Sequence, residues 1–152
     1  MRKQTRRKVY QLVNPIEFAI AGAKITDKES LDSLRIRELA AIDAMSKGLA
    51  GVEEWRDLTE MLNLAETMAK NGIGPEVIET CDLVQAELHL AALRYERTKK
   101  MGLTGAGLQA VRDLYEYHDL QRTSIARSEY ERMINKTKDY ILSNAPCVLH
   151  IN

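Results

Sequence analysis

Residues 52–72 read VEEWRDLTEMLNLAETMAKNG. Trp55, Leu58, Leu62, Ala65 and Ala69 recur three or four positions apart, and Met61, Leu64 and Met68 widen the same stripe. Helical spacing gathers these residues on one side and sets Glu53, Arg56, Asp57, Glu60 and Lys70 on the other. The stretch also holds the single tryptophan of the chain. Such a helix is stable only when its apolar side is covered. The segments on either side read as the helices that cover it.

Upstream, Thr26-Asp27-Lys28-Glu29 has capping-box spacing and opens a helix to about residue 47. Leu31, Leu34, Leu39, Ile42 and Met45 are expected on its inner side, and Gly48 at its left-handed close. The short turn over 49–51 predicts that this helix packs antiparallel to the central one. Before it, Asn14-Pro15 suits a helix start, with Ile16, Ala19, Ile20 and Ala23 turned inward.

Downstream, Gly72-Ile73-Gly74-Pro75 is the strongest break in the chain. Pro75 then starts a long helix to about residue 99, with Val77, Cys81, Val84, Leu88, Ala91 and Tyr95 on its core stripe. GLTGAG, residues 102–107, reads as a plain interhelical loop with Thr104 as cap, followed by a helix over about 107–121. That helix places Leu108, Val111, Leu114, Tyr115 and His118 inward. Residues 122–127 read as a connector. Ser128 and Glu131 have capping-box spacing and open a last helix to about residue 143, with Tyr130, Met133, Ile134, Thr137 and Ile141 inside. Asn144-Ala145-Pro146 ends it. The expected fold is therefore all-α: a single-domain bundle of five or six helices over 14–145, an extended basic N-terminal arm over 1–13, and a tail over 146–152.

Bulk properties agree with this picture. At 152 residues a compact chain buries about 68–70% of its unfolded surface, enough for a core without metal or disulfide. Two cysteines, Cys81 and Cys147, make no disulfide framework and suit a reducing cytosol. No apolar run approaches the roughly 18 residues of a membrane span, and the run over 18–23 is too short for a signal sequence.

Net charge is zero but unevenly placed. Arg2, Lys3, Arg6, Arg7 and Lys8 precede any acid, while the remaining 144 residues hold 17 basic and 22 acidic side chains. A cationic strand of this kind can lie along a phosphate backbone and release counterions, and Tyr10 adds a stacking surface. Arg2, Lys3, Arg6, Arg7, Lys8 and Tyr10 are thus the candidate nucleic-acid contacts. The bland alternative is a solvated tail.

No catalytic set emerges. His118 and Asp119 are helix neighbours pointing about 100° apart, so they do not converge, and no Glu-x-x-His pair supports a di-iron site. His118 reads as a histidine hydrogen-bonded within the bundle, and Cys81 as a small core residue. GLTGAG fits no phosphate-loop pattern. QRTSIAR, residues 121–127, is the nearest approach to a helix-turn-helix, with a connector longer than that motif uses. No metal, cofactor or enzymatic activity is expected.

RKxxRRKxY and NPIxxAIAGA near the start, EEWRDLTEMLNLAETMAKNGIG, and the late LYEYHDLQ together resemble a family of small proteins of proteobacterial phages, prophages and mobile elements, often labelled Fis-family transcriptional regulators. The resemblance spans most of the chain. It implies a bacterial cytoplasmic setting and a non-enzymatic accessory role, and carries over no site residues. Two functions follow as expectations. One is nucleic-acid association through the arm, in a regulatory role. The other is a protein-binding module, such as an inhibitor of a host defence complex, using the acidic stretches 53–60 and 76–87. Leu83, Leu90 and Leu93 on the outer face of the long helix hint at a homodimer.

Overall fold

The structure, a computed structural model, describes residues 28–143. The basic arm over 1–13, the expected helix from Asn14-Pro15, the cap at Thr26-Asp27 and the tail over 146–152 lie outside the described residues. Five α-helices follow one another: α1 (Lys28–Lys47), α2 (Val52–Lys70), α3 (Ile78–Thr98), α4 (Gly105–Thr123) and α5 (Arg127–Ser143), with a 3-10 turn at Pro75–Val77. No β-strand occurs among the described residues.

α2 is the hub, packing against all four other helices and the 3-10 turn. Trp55, Leu58, Met61, Leu62, Ala65, Met68 and Ala69 are all buried, as their spacing predicts. Trp55 joins Leu58 and Leu62 in the main core, which takes Val84, Leu88 and Ala91 from α3 and Val111 and Leu114 from α4. The Trp55 indole Nε1–H donates to the Leu88 carbonyl at 2.9 Å, tying α2 to the middle of α3. A smaller cluster of Leu31, Met68, Ile73, Ile125 and Met133 joins the other end of α2 to α1 and α5.

The helix ends are set by backbone chemistry. Gly48 has φ +70, and the Leu49 amide donates to Ala44 O at 2.9 Å, closing α1 in a Schellman turn. α2 closes the same way. Gly72 has φ +89, Ile73 N donates to Met68 O at 2.9 Å, and the Ile73 and Met68 side chains share the smaller cluster. Thr104 caps α4 by accepting from Gly107 N at 3.0 Å. α3 ends differently. Lys99 takes the left-handed conformation, φ +58, and donates its amide to Tyr95 O at 2.7 Å. A side chain pays a penalty there that glycine avoids. Lys99→Gly is therefore expected to stabilise the protein by about 1 kcal/mol, seen as a higher urea midpoint at unchanged slope.

Three expectations need correction. Leu39 is 47% exposed rather than inside, because Glu38, 4% exposed, holds the inward position of that turn. Ser128 does not cap α5: the helix begins at Arg127, whose guanidinium pairs with Glu131 at 3.5 Å. α4 runs on to Thr123, so the connector to α5 shrinks to residues 124–126.

Candidate functional site

Arg2, Lys3, Arg6, Arg7, Lys8 and Tyr10 lie outside the described residues, as do Cys147 and His150. Within residues 28–143, polar chemistry concentrates where α4 meets α1 and α2.

Arg122 is the largest fully buried side chain among the described residues. Its Nη1 donates to Glu38 Oε2 at 3.1 Å and its Nε to Asp119 Oδ1 at 2.9 Å. Its Nη2 stands 2.7 Å from Glu38 Oε1, off the axis of a directed hydrogen bond, so this arm is a close ion contact. Asp119 is also held by Arg35 from α1, whose Nε and Nη2 each donate to one carboxylate oxygen at 2.9 Å. The Tyr115 ring lies 5.8 Å from the Arg122 guanidinium carbon. Burial raises the Glu38 carboxyl above its ordinary range, against the opposing pull of Arg122. Burial acts the same way on Asp119, but there the hydrogen bonds from Arg35 and Arg122 prevail and hold it low. The network clamps α1 to α4, and its charges are spent on one another.

His118 is buried beside it. Gln121 Nε2 donates to Ile73 O at 2.8 Å and Ala65 O at 3.2 Å, which leaves its Oε1 to accept from His118 Nδ1 at 2.9 Å. That arrangement assigns the proton to Nδ1. Gln121 thereby fixes the turn after α2. Gly74 there has φ +61, and a Cβ on it would stand 3.2 Å from Gln121 Cγ. Burial, helped by the Arg122 charge, pushes the imidazole down to about 4. The unfolded chain, near 6.5, binds a proton that the folded one refuses. Stability is thus complete above pH 6.5 and is lost as pH falls from 6.5 to about 4, by roughly 3 kcal/mol. Urea titrations of the wild type and His118→Gln should show a steeper loss in the wild type across this window.

The other groups weighed in the sequence have structural partners. Cys81 is buried, and desolvation raises its thiol to about 12, far from a reactive thiolate. The positive end of α4 is filled by the chain's own carboxylate: Glu87 Oε2 accepts from Thr104 Oγ1 at 3.1 Å, and a Cβ at Gly107 would meet that oxygen at 2.7 Å. Most of the polar side chains of QRTSIAR are engaged within the bundle. Gln121 and Arg122 face inward, and Thr123 and Ser124 hydroxyls donate to Asp119 O and Gln121 O. α5 packs on α2 rather than on α4, unlike the second helix of a helix-turn-helix. Among the described residues no three His, Cys, Asp or Glu side chains gather as a metal set. No helix among them is long and apolar enough to cross a membrane.

Two clefts flank α5. One, about 360 Å³, has Leu34, Met61, Leu64, Ile134 and Ile141 along its walls. The other, about 340 Å³, is more polar, with Lys70, Asn71, Lys136 and Tyr140 at its edge. The Lys70 ammonium is engaged by Glu66, and Lys136 donates to Asn71 Oδ1 at 2.6 Å.

Glu38 was not singled out from the sequence, and Gln121 and Arg122 only as polar residues of QRTSIAR, not as core. A signal was present: Glu38 stands in register with Leu31, Leu34, Ile42 and Met45, and Arg122 with Val111, Tyr115 and His118. Opposite charges interrupting two apolar stripes suggest a buried pair.

Compared with protein-family models, curated proteins and solved structures, the chain matches none.

Proposed function

We propose that the protein is a non-enzymatic accessory protein, of the kind carried by phages and mobile elements, that associates with nucleic acid through its N-terminal arm in the bacterial cytoplasm. Charge segregation carries this reading. Residues 28–143 hold sixteen basic and twenty acidic side chains. At least eight of those sixteen are already in ion pairs: Arg35, Arg37, Lys47, Arg56, Lys70, Arg122, Arg127 and Arg132. The body therefore supports weak attraction for a polyanion, and the five cations of residues 1–8 supply the concentrated positive charge.

The test is fluorescence anisotropy with a labelled duplex of arbitrary sequence. Five phosphate contacts give a slope of about −4.5 in log K against log salt. Deleting residues 1–8 should abolish binding, and Tyr10→Ala should weaken single-strand binding about tenfold. Salt-insensitive binding, or binding by the shortened chain, would overturn the reading.

A second reading, a protein-binding module such as an inhibitor of a host defence complex, is favoured by one observation. Glu76, Glu79 and Asp82 are exposed and make no ion pair among the described residues. The stretch 53–60 supports it less, since Asp57 and Glu60 are engaged by Arg37 and Glu53 by Arg56. A protein captured from host lysate by the full chain, retained after nuclease treatment and lost on Glu76→Lys with Asp82→Lys, would favour this second reading.

A further inference from the structure

The face of α3 turned away from the core carries Leu83, Ala86, Leu90 and Leu93, all exposed. Leu83 is 62% exposed, and Leu90 and Leu93 are 46% and 48%. The four stand three, four and three residues apart, the a/d spacing of a coiled-coil seam. Glu79 extends the row by four at one end and Arg97 by four at the other. Both are exposed, and neither makes an ion pair among the described residues. The row is thus symmetric about Leu88 in spacing and antisymmetric in charge.

That symmetry selects an occupant. A twofold interface must be self-complementary: what one copy presents, the other must accept in the reverse direction. Laid antiparallel on its own image, the row sets Leu83 against Leu93, Ala86 against Leu90, and Glu79 against Arg97 of the second copy. Each layer joins a large apolar group to a large one, a small to a large, or an acid to a base. A parallel pairing would instead place Glu79 on Glu79 and Arg97 on Arg97. From Glu79 to Arg97 the seam is about 27 Å long.

We infer that the outer face of α3 is a homodimer interface in which two copies pair antiparallel about Leu88. One helix per copy is small against the roughly 1,600 Å² of a standard stable interface, so the dimer dissociates on dilution. The inference is independent of the arm and of nucleic acid.

Sedimentation equilibrium of the full chain between about 1 and 200 μM tests it. The expected mass rises from 17.2 kDa towards twice that value, with a dissociation constant of about 10 μM. Leu90→Glu buries carboxylates near the seam's centre and should leave a monomer at every concentration; because Leu90 is exposed, its thermal midpoint should stay near that of the wild type. Glu79→Arg and Arg97→Glu, each alone, should weaken association about tenfold, and the two together should restore it. A monomer at 200 μM overturns the inference. So does a dimer that Leu90→Glu leaves intact, which would lie on another face. Failure of the charge exchange to restore association overturns the antiparallel register.

Discussion

Arg122→Met is expected to cost about 3–5 kcal/mol of folding stability, because it strands the Glu38 carboxylate inside the bundle. Both partners are nearly inaccessible, with side-chain exposures of 0% and 5%. Removing the cation leaves the anion with neither water nor counter-charge. For a chain of this length the thermal midpoint should fall by roughly 10 °C or more. The deficit should depend on pH in a defined direction. Burial already raises the Glu38 carboxyl, and loss of Arg122 raises it further. A carboxyl whose folded value exceeds its unfolded one gains stability as pH falls through the folded value. The gap between wild type and variant should therefore narrow from pH 7 to pH 5, and the more so because loss of the Arg122 charge lessens the depression of His118 that costs the wild type stability in acid. Adding Glu38→Leu to Arg122→Met should recover most of the stability, since a buried ion pair replaced by apolar groups of similar size is often close to neutral. Equilibrium urea unfolding of the two single variants and the double variant checks this. Simple additivity of the two single effects would show that the pair is not coupled.

Trp55→Ala should be comparably damaging, at about 3–5 kcal/mol. Trp55 is 3% exposed and is bonded to Leu88 of α3, so its removal opens a cavity in the main core between α2 and α3 that the helices can only partly close. Trp55→Phe separates two contributions. It keeps most of the apolar contact but loses the 2.9 Å bond from Nε1–H to Leu88 O, and should cost about 1–2 kcal/mol. The same urea titrations apply, with the slope unchanged if the variants lose stability and not compactness. Equal losses for Ala and Phe would place the value of Trp55 in its hydrogen bond instead of its volume.

Much of the architecture was legible before any coordinates. The stripe of α2 is buried at every expected position except Leu64, which is half-buried, and the core positions of α3 fall where the periodicity puts them, with Tyr95 half-buried. Gly48 and Gly72 close their helices as expected of residues free to adopt positive φ. The candidate contacts on the arm were equally legible as a cation cluster, but they lie outside residues 28–143. Harder to see was the polar interior. Gln121 reads as a surface residue in QRTSIAR until Ile73 O and Ala65 O are brought to it.

Within the described residues, the amino-acid order by itself determined which segments are helical, the breaks after Lys47 and Lys70, and which side of each helix is apolar. These follow from interactions within four residues along the chain, and such interactions are the same in any context. Only the tertiary structure decided that Glu38 goes in and Leu39 out, and that Arg122 is core instead of connector. The partners that stabilise those choices stand 84 residues apart in sequence. Whether a charge is buried depends on the counter-charge that folding delivers, and no local pattern contains that distance.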